Sequence, residues 1–298
     1  MATRQATRFV RALGTRAAVR PAEETRVRAR SGSGWYAWLA RGGLVAKGIS
    51  FGIVAVLAIG VAVGTGGATT SRQGALHALA ERTWGKVLLV LLAIGFACYA
   101  GWRFAQALAE RTGPGDESMV RQWGKRAGYV ARAAIYAGLT YSAAKLLVGS
   151  GGQGSQSEKA RKTTAAVLDW PGGRWIVGLV GLCLIGAGLW NLYRGATKKF
   201  EDKWRIGEMN PLERKWGGRA GIAGHLARAV VFSLIGIFVI KAAIDFDPRN
   251  AIGLDGALQK LAAASYGPYL LGLTAGGLLC YGLYCLVDAR YRDVSTNA

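Results

Sequence analysis

The sequence predicts an all-α integral membrane protein with six transmembrane helices, arranged as three tandem helical hairpins with pseudo-threefold symmetry. Three observations predict this fold class: six long apolar segments, a motif that opens every second segment, and a one-sided distribution of positive charge. Hydrophobic residues make up 51% of the 298 residues, and the mean hydropathy is +0.22. Such a composition is typical of a chain that is dissolved largely in lipid.

Each apolar segment has about the length that a transmembrane helix requires. A helix needs ~20 apolar residues to cross a hydrocarbon layer of ~30 Å. Backbone polar groups in lipid must be paired within the segment, so we expect helices and not isolated strands. A soluble helix of this length would carry a charged face, which these segments lack. The predicted spans are residues 44–64, 87–108, 129–149, 175–193, 226–244 and 269–287.

Two motifs recur three times and define the hairpins. The first helix of each hairpin opens with GLVAK at 43–47, GYVAR at 128–132 or GHLAR at 224–228. The second helices share GFACYAGW at 95–102, CLIGAGLW at 183–190 and GLLCYGLY at 277–284. In addition, GALHALA at 74–80 resembles GALQKLA at 256–262, which predicts a short amphipathic helix in these loops. We therefore expect a basic tail at 1–34 and three repeats, at 35–112, 113–205 and 206–292.

Positive charge lies mostly on one side of the predicted spans. Of the 38 Lys and Arg residues, 24 lie in the two terminal segments and the two loops between hairpins, and nine lie in the three loops within hairpins. The positive-inside rule places both termini in the cytoplasm. The basic tail is expected to be either a helix lying on anionic lipid or a disordered, solvated segment.

Apart from Arg103, which is counted above with the loop that follows it, five cations lie within the predicted spans, where ionisable residues are the first candidates for function. Lys47, Arg132 and Arg228 occupy the same repeat position, one turn inside the cytoplasmic boundary. Lys145 and Lys241 share a second position, near the outer boundary. One hypothesis is that these side chains bind lipid headgroups or an anionic solute, or that the second pair meets a carboxylate such as Asp245. The alternative is that they snorkel to the interface without a ligand.

Several common functional signals are missing from the sequence. All seventeen carboxylates lie outside the spans or at their edges, which disfavours a buried proton relay. The sequence has no Walker A, Gly-x-Ser-x-Gly or His-Glu-x-x-His motif. We therefore predict no catalytic, cofactor or metal site, no enzymatic activity and no nucleic-acid partner.

The repeated helix openings, the Gly-x-Leu-x-x-Leu-Ala loops and the Cys-Tyr-x-x-aromatic stretch resemble the family catalogued as domain of unknown function 1206. The resemblance covers roughly residues 35–291, and the middle loop departs from it because TAAVL at 164–168 lacks the glycine. The resemblance implies a six-span bacterial inner-membrane protein. It implies no activity.

Two functional classes remain open at this point. The first is a non-enzymatic membrane component that organises membrane lipids, through their anionic headgroups, or protein partners. The second is a channel or transporter for a small, possibly anionic solute along the repeat axis, which would require Lys47, Arg132 and Arg228 to converge on a cavity.

Overall fold

The structure is a computed structural model, and it describes residues 34–64, 83–109, 119–149 and 155–293. The basic tail up to residue 33 and the loop motif at 74–80 lie outside these ranges. Among the described residues, the only β pairing is one bridge between Trp204 and Arg292. Most of the described chain forms eight α-helices: α1 Gly34–Ala62, α2 Thr83–Ala109, α3 Met119–Leu147, α4 Gln156–Leu168, α5 Gly173–Thr197, α6 Pro211–Ile244, α7 Leu254–Ala262 and α8 Gly267–Tyr291.

Five of these helices are long and apolar enough to cross a membrane. They are α1, α2, α5, α6 and α8, which agree with five of the six predicted spans. The remaining long helix, α3, has 29 residues but is less apolar, because it carries five Lys and Arg residues. The prediction of an all-helical fold is therefore confirmed among the described residues, and five of the helices are candidates for membrane spans.

The six long helices pack as a row in the order α3, α2, α1, α8, α6, α5. We call α1 with α2 the first hairpin, α3 with α5 the middle hairpin, and α6 with α8 the third hairpin. Helices of successive hairpins pack closely, as do the two helices of the first hairpin and of the third. The exception is the middle hairpin, whose helices α3 and α5 make no extensive contact among the described residues.

The contacts between hairpins use equivalent residues. A Cβ on Gly282 of α8 would lie 2.9 Å from the Gly48 carbonyl oxygen of α1. At the matching repeat position, a Cβ on Gly188 of α5 would lie 3.1 Å from the Ala229 carbonyl oxygen of α6. Small residues let the backbones approach at both places, which is how helices commonly associate within a bilayer.

One face of the helical row carries the two short helices α4 and α7. The predicted helix at 256–262 is confirmed as the main part of α7. Asp255 is buried and accepts hydrogen bonds from the Ser157 amide at 3.0 Å and from the Ser157 hydroxyl at 2.9 Å. Ser157 Oγ in turn accepts from the amides of Gly253 and Gly256, at 2.9 and 3.2 Å. Each helix thus satisfies amide groups at the start of the other, as capping residues do.

The opposite face, which we call the termini face, includes the start of α1 and the end of α8. There the connection between α5 and α6 folds against α8. Asp288 accepts hydrogen bonds from Trp204 Nε1 at 3.1 Å and from Arg292 Nη1 at 2.6 Å, and all three side chains are buried. Because a buried charge is tolerated only when it is paired, Arg292 stabilises the Asp288 carboxylate at the end of α8. The hydrogen bond from Trp204 to this carboxylate joins the connection to the third hairpin.

Candidate anion-binding site

The candidate site centres on the Tyr281 hydroxyl, close to the termini face. Lys47 Nζ of α1 donates a hydrogen bond to the Tyr281 hydroxyl oxygen at 2.8 Å, and Arg228 Nη1 of α6 donates to the same oxygen at 2.6 Å. Two of the three predicted repeat cations, from the first and third repeats, therefore meet on one phenol. Each of these two cations thus has an internal hydrogen-bond partner, which a side chain that only snorkels to the interface does not need.

Aromatic rings hold this arrangement in place. The Tyr281 ring packs edge-on against Phe51 of α1, with centroids 4.8 Å apart. Lys47 Nζ lies 5.0 Å from the centroid of the Tyr281 ring and 5.6 Å from that of Tyr99. The Arg228 guanidinium carbon lies 4.5 Å from the Tyr281 centroid. These cation–π contacts offset part of the cost of removing two cations from water.

A second tyrosine, Tyr99 of α2, occupies the same repeat position as Tyr281. Its hydroxyl accepts a hydrogen bond from Arg103 Nη2 at 2.8 Å, and both side chains are buried. The Tyr99 ring also contacts Tyr136 of α3, with centroids 4.3 Å apart. Tyr136 and Phe51 are themselves equivalent in the repeat, so each tyrosine packs against an aromatic residue of the next helix in the row.

The buried His225 lies beneath Tyr281 on the termini side. Its ring stacks on Phe200, with centroids 5.3 Å apart, and its Nδ1 lies 3.0 Å from Asn191 Oδ1. Because Asn191 Nδ2 donates to the Ala187 carbonyl at 2.7 Å, Asn191 Oδ1 acts as an acceptor, and His225 Nδ1 therefore carries the proton. His225 Nε2 has no hydrogen-bond partner in the described part of the chain.

Arg132, the third predicted repeat cation, is placed differently. Its side chain is exposed on α3 and donates to the carbonyl of Gly128 on its own helix at 3.3 Å. It does not share the Tyr281 hydroxyl with Lys47 and Arg228. It nevertheless lies close enough to Arg103 and Arg228 for the like charges to repel.

The cluster of Lys47, Arg103, Arg132 and Arg228 lacks a carboxylate partner among the described residues. The buried carboxylate of α8, Asp288, is already occupied by Arg292 and Trp204. In addition, the buried Nε atoms of Arg103 and Arg228 have no acceptor in the described residues. Uncompensated cations with free donors are suited to binding an anion.

The second predicted pair of cations lies elsewhere. Lys145 is in the last turn of α3 and its Nζ lies 5.0 Å from the centroid of Tyr141. Lys241 is exposed in the last turn of α6, about 20 Å along the helix from Arg228 at 1.5 Å per residue. The predicted carboxylate partner, Asp245, donates its backbone amide to the Lys241 carbonyl and accepts from Asn250 Nδ2 with its side chain.

No role was predicted for Tyr281, Tyr99 or Arg103, which are central to the observed cluster. The repeat could have singled out the two tyrosines, because both occupy the fifth place of the recurring second-helix motif. The middle repeat, CLIGAGLW, has Ala187 at that place. The contacts of Tyr281 with Lys47 and Arg228 could not be read from spacing, because they form between different helices. Arg103 and Tyr99, by contrast, lie four residues apart on α2.

Comparison with known proteins identifies the family. The family described as "Domain of Unknown Function (DUF1206)" matches three segments, residues 42–110, 127–198 and 223–292. The chain belongs to this family. Its three tandem repeats, which the sequence predicted, are therefore confirmed.

A relative from Bacillus subtilis (strain 168), named "Uncharacterized protein YxxB", is 33% identical over 261 residues. The matched region covers 88% of this chain and 93% of the relative. The family and this relative carry no described activity. No solved structure matches the chain, so the functional argument depends on the geometry described above.

Proposed function

We propose that this protein is a non-enzymatic membrane component that binds anionic phospholipid headgroups in the cytoplasmic leaflet and so organises lipid around itself. The observation that carries the proposal is the shared hydrogen bonding of Lys47 and Arg228 to Tyr281, in a cluster with no carboxylate partner among the described residues. A phosphate diester supplies the missing negative charge and accepts hydrogen bonds from guanidinium and ammonium groups.

In this proposal the chain has six spans, with α3 as the sixth. The basic residues Arg121, Lys125 and Arg126 lie in the first two turns of α3. The remaining stretch, 127–147, carries Arg132 and Lys145 and is about 30 Å long as a helix. This length suits a bilayer with both cations near its boundaries. The equivalent contacts between hairpins support a pseudo-threefold arrangement of the repeats.

The proposal also places both termini in the cytoplasm of a bacterial cell, in its plasma membrane. The support is the excess of Lys and Arg in the segments that flank the termini face. The test is Asn250→Cys in a chain whose native cysteines are replaced by serine. A membrane-impermeant maleimide added to intact spheroplasts should label this residue from outside. Labelling only after lysis would reverse the orientation.

The lipid proposal is tested with the full chain purified in detergent. Adding phosphatidylglycerol should raise the melting temperature by about 5–10 °C over the same amount of phosphatidylcholine, as expected for a ligand at ~100 times its dissociation constant. The combined variant Lys47→Gln, Arg132→Gln and Arg228→Gln should lose this difference. The matched control, Lys145→Gln with Lys241→Gln, should keep it. Equal stabilisation by both lipids would refute the proposal.

A second candidate function is the passage of a small anion along the repeat axis. It is favoured by the origin of the cations, since Lys47, Arg132 and Arg228 come from three different repeats and Arg132 lies within electrostatic range of Arg228. Proteoliposomes should then release chloride or phosphate faster than empty vesicles, and the three glutamine substitutions should slow the release. Release equal to that of empty vesicles would exclude this function.

A further inference from the structure

The middle hairpin exposes surfaces that its counterparts bury. On α3, Ile135 is 58% exposed, whereas the equivalent Ser50 and Val231 of the first and third hairpins are 3% and 4% exposed. On α5, Trp190 is 55% exposed, whereas Trp102 and Tyr284 are 1% and 3% exposed. These differences mark an apolar opening between α3 and α5.

The sequence explains why this hairpin is open. In the first hairpin, a Cβ on Gly43 would lie 2.6 Å from the Tyr99 Cα. In the third hairpin, a Cβ on Gly224 would likewise lie 2.6 Å from the Tyr281 Cα. Gly128 of α3 has no such neighbour on α5, where Ala187 replaces the tyrosine.

A second closing contact is also altered. Gly95 and Gly277 pack directly against Ala46 and Ala227, since a Cβ on either glycine would lie within 2.5 Å of the alanine Cβ. The middle hairpin has Cys183 at the glycine position. Its side chain would occupy the space in which the partner helix lies in the other two hairpins. Both glycine-dependent contacts that close a hairpin are therefore absent from the middle repeat.

The two ends of the opening differ in character. At the face that carries α4 and α7, Lys159 Nζ of α4 lies 3.5 Å from Ser142 Oγ of α3, so α4 bridges towards α3 there. Near the termini face, the exposed Arg132 lies one helical turn before Ile135, and Trp190 lies near the same end of α5. The opening thus combines an apolar wall with a cation near the membrane boundary.

We propose that this opening holds one anionic phospholipid, which reaches it sideways from the membrane. The phosphate contacts Arg132, and an acyl chain lies along Ile135 and the exposed Val180 of α5. This inference rests on the proposed function and adds the identity of the ligand, its route and its stoichiometry. An amphipathic ligand with one negative end matches an apolar wall that ends in a cation.

A second copy of the chain fits this surface less well. A symmetric pair would bring the same patch of both copies together, including Arg132 and the surrounding basic residues. The chain has a formal net charge of +21. Like charges brought together in a low-dielectric environment repel strongly, whereas a phospholipid neutralises Arg132.

The test uses the full chain in vesicles of phosphatidylcholine that contain a few per cent of phosphatidylglycerol with a photoreactive diazirine on one acyl chain. After irradiation, mass spectrometry of peptides should find label on 130–138 and 179–190 at least about 3-fold above that on the lipid-exposed α2 residues Val90, Leu91 and Ile94. The same diazirine on phosphatidylcholine should show no such preference. Arg132→Gln should abolish the preference while leaving the α2 labelling unchanged.

A second variant restores the residues that close the other hairpins. Cys183→Gly with Ala187→Tyr should bring α5 against Gly128 and Ala131, and native mass spectrometry should then show the loss of one bound phosphatidylglycerol per chain. The matched control, Leu182→Ala with Leu189→Ala, changes two exposed α5 residues and should keep that lipid. If the closing variant does not fold, the labelling of the unmodified chain and of Arg132→Gln decides the question.

Each result separates this inference from the proposed function. Uniform labelling with retained stabilisation by phosphatidylglycerol would overturn the lateral site and leave the headgroup-binding function intact. Uniform labelling without that stabilisation would remove both. Stabilisation by glycerol phosphate equal to that by the lipid would identify a free phosphate as the ligand and overturn the lipid site. Cross-linked dimers joined through Ile135→Cys would show that a second copy covers the opening, which would also overturn it.

Discussion

The first and third hairpins are closed and the middle hairpin is open, although all three derive from one repeat. Gly43 and Gly224 each pack against the backbone of a tyrosine on the second helix of their hairpin. A Cβ on Gly128 would instead meet only the side chain of Arg132, which lies on the same helix. The contacts between hairpins, by contrast, are kept throughout the row. A repeat can therefore retain its outer interfaces while its internal interface is released by one or two substitutions.

The same comparison explains how the cations are distributed. Lys47 donates to Tyr281, which lies on the neighbouring helix α8 in the row. The equivalent partner for Arg228 would be at position 187, which is an alanine, and Arg228 donates instead to the tyrosine of its own hairpin. Alanine at position 187 thus leaves Arg228 without the equivalent hydroxyl on α5, and two cations meet on the phenol of Tyr281.

The largest expected effect concerns the buried ion pair at the end of α8 in the third hairpin. Arg292→Met leaves the buried carboxylate of Asp288 without its ionic partner and should destabilise the fold by about 3–5 kcal/mol. The double variant Asp288→Leu with Arg292→Met removes both charges and should recover most of this loss. Chemical denaturation in detergent measures both. A double variant as unstable as the single one would mean that the ion pair stabilises more than it costs to bury.

The next largest effect tests the difference between the closed third hairpin and the open middle hairpin. Gly224→Ala places a Cβ 2.6 Å from the Tyr281 Cα and should cost about 1–3 kcal/mol, because neither backbone can give way without loss of packing. In Gly128→Ala, the atom nearest to the new Cβ is Arg132 Nη1, at 3.5 Å, so this substitution should change stability little. Melting temperatures of the two variants provide the measurement. Equal losses would contradict an open middle hairpin.

A smaller effect is expected where the middle repeat meets the third. Ser157→Ala removes the hydroxyl that accepts from the amides of Gly253 and Gly256, and should cost roughly 1 kcal/mol, as the loss of a helix cap does. The exposed Thr163→Ala on the same helix serves as the control. Hydrogen exchange at residues 253–257 should accelerate in the first variant and not in the second. Unchanged exchange would show that α4 and α7 are held by other contacts.

The smallest effect concerns the connection between the middle and third hairpins. Desolvation, with the nearby positive charge of Arg292 and Arg194, lowers the pKa of Lys203 to about 8. Because the folded pKa is below the ordinary value of a lysine, the folded state loses this proton first, and this group favours folding more as pH rises from about 8 towards 10.5. Acetylation of Lys203 followed by mass spectrometry should be half-maximal near pH 8.

Arg194→Gln is the matched control for this titration. Removing one positive neighbour should raise the pKa of Lys203 and move the half-maximum to higher pH. An unchanged half-maximum in this variant would show that the charge of Arg194 does not reach Lys203, and that the connection lies farther from α5 than the structure places it.

Much of the fold could be predicted from residues alone. The segments around α1, α2, α5, α6 and α8 are recognisable because a helix in lipid must be long, apolar and internally hydrogen-bonded, and all three requirements are local. The alignment of Lys47, Arg132 and Arg228 was also visible, since it depends only on the repeated motif. The exact site could not be predicted in the same way, because the contact of Lys47 with Tyr281 joins residues 234 positions apart.

The sequence by itself determined the helical class, the three repeats and the family, since each follows from composition and from motifs that are read along one segment at a time. Only the tertiary structure decided which cations meet, that Asp288 is already paired, and that α3 and α5 stand apart. The physical reason is that these outcomes depend on which backbones approach closely. The closed hairpins have glycine and tyrosine where the middle hairpin has Cys183 and Ala187, and the effect of these differences is visible only when the helices are packed together.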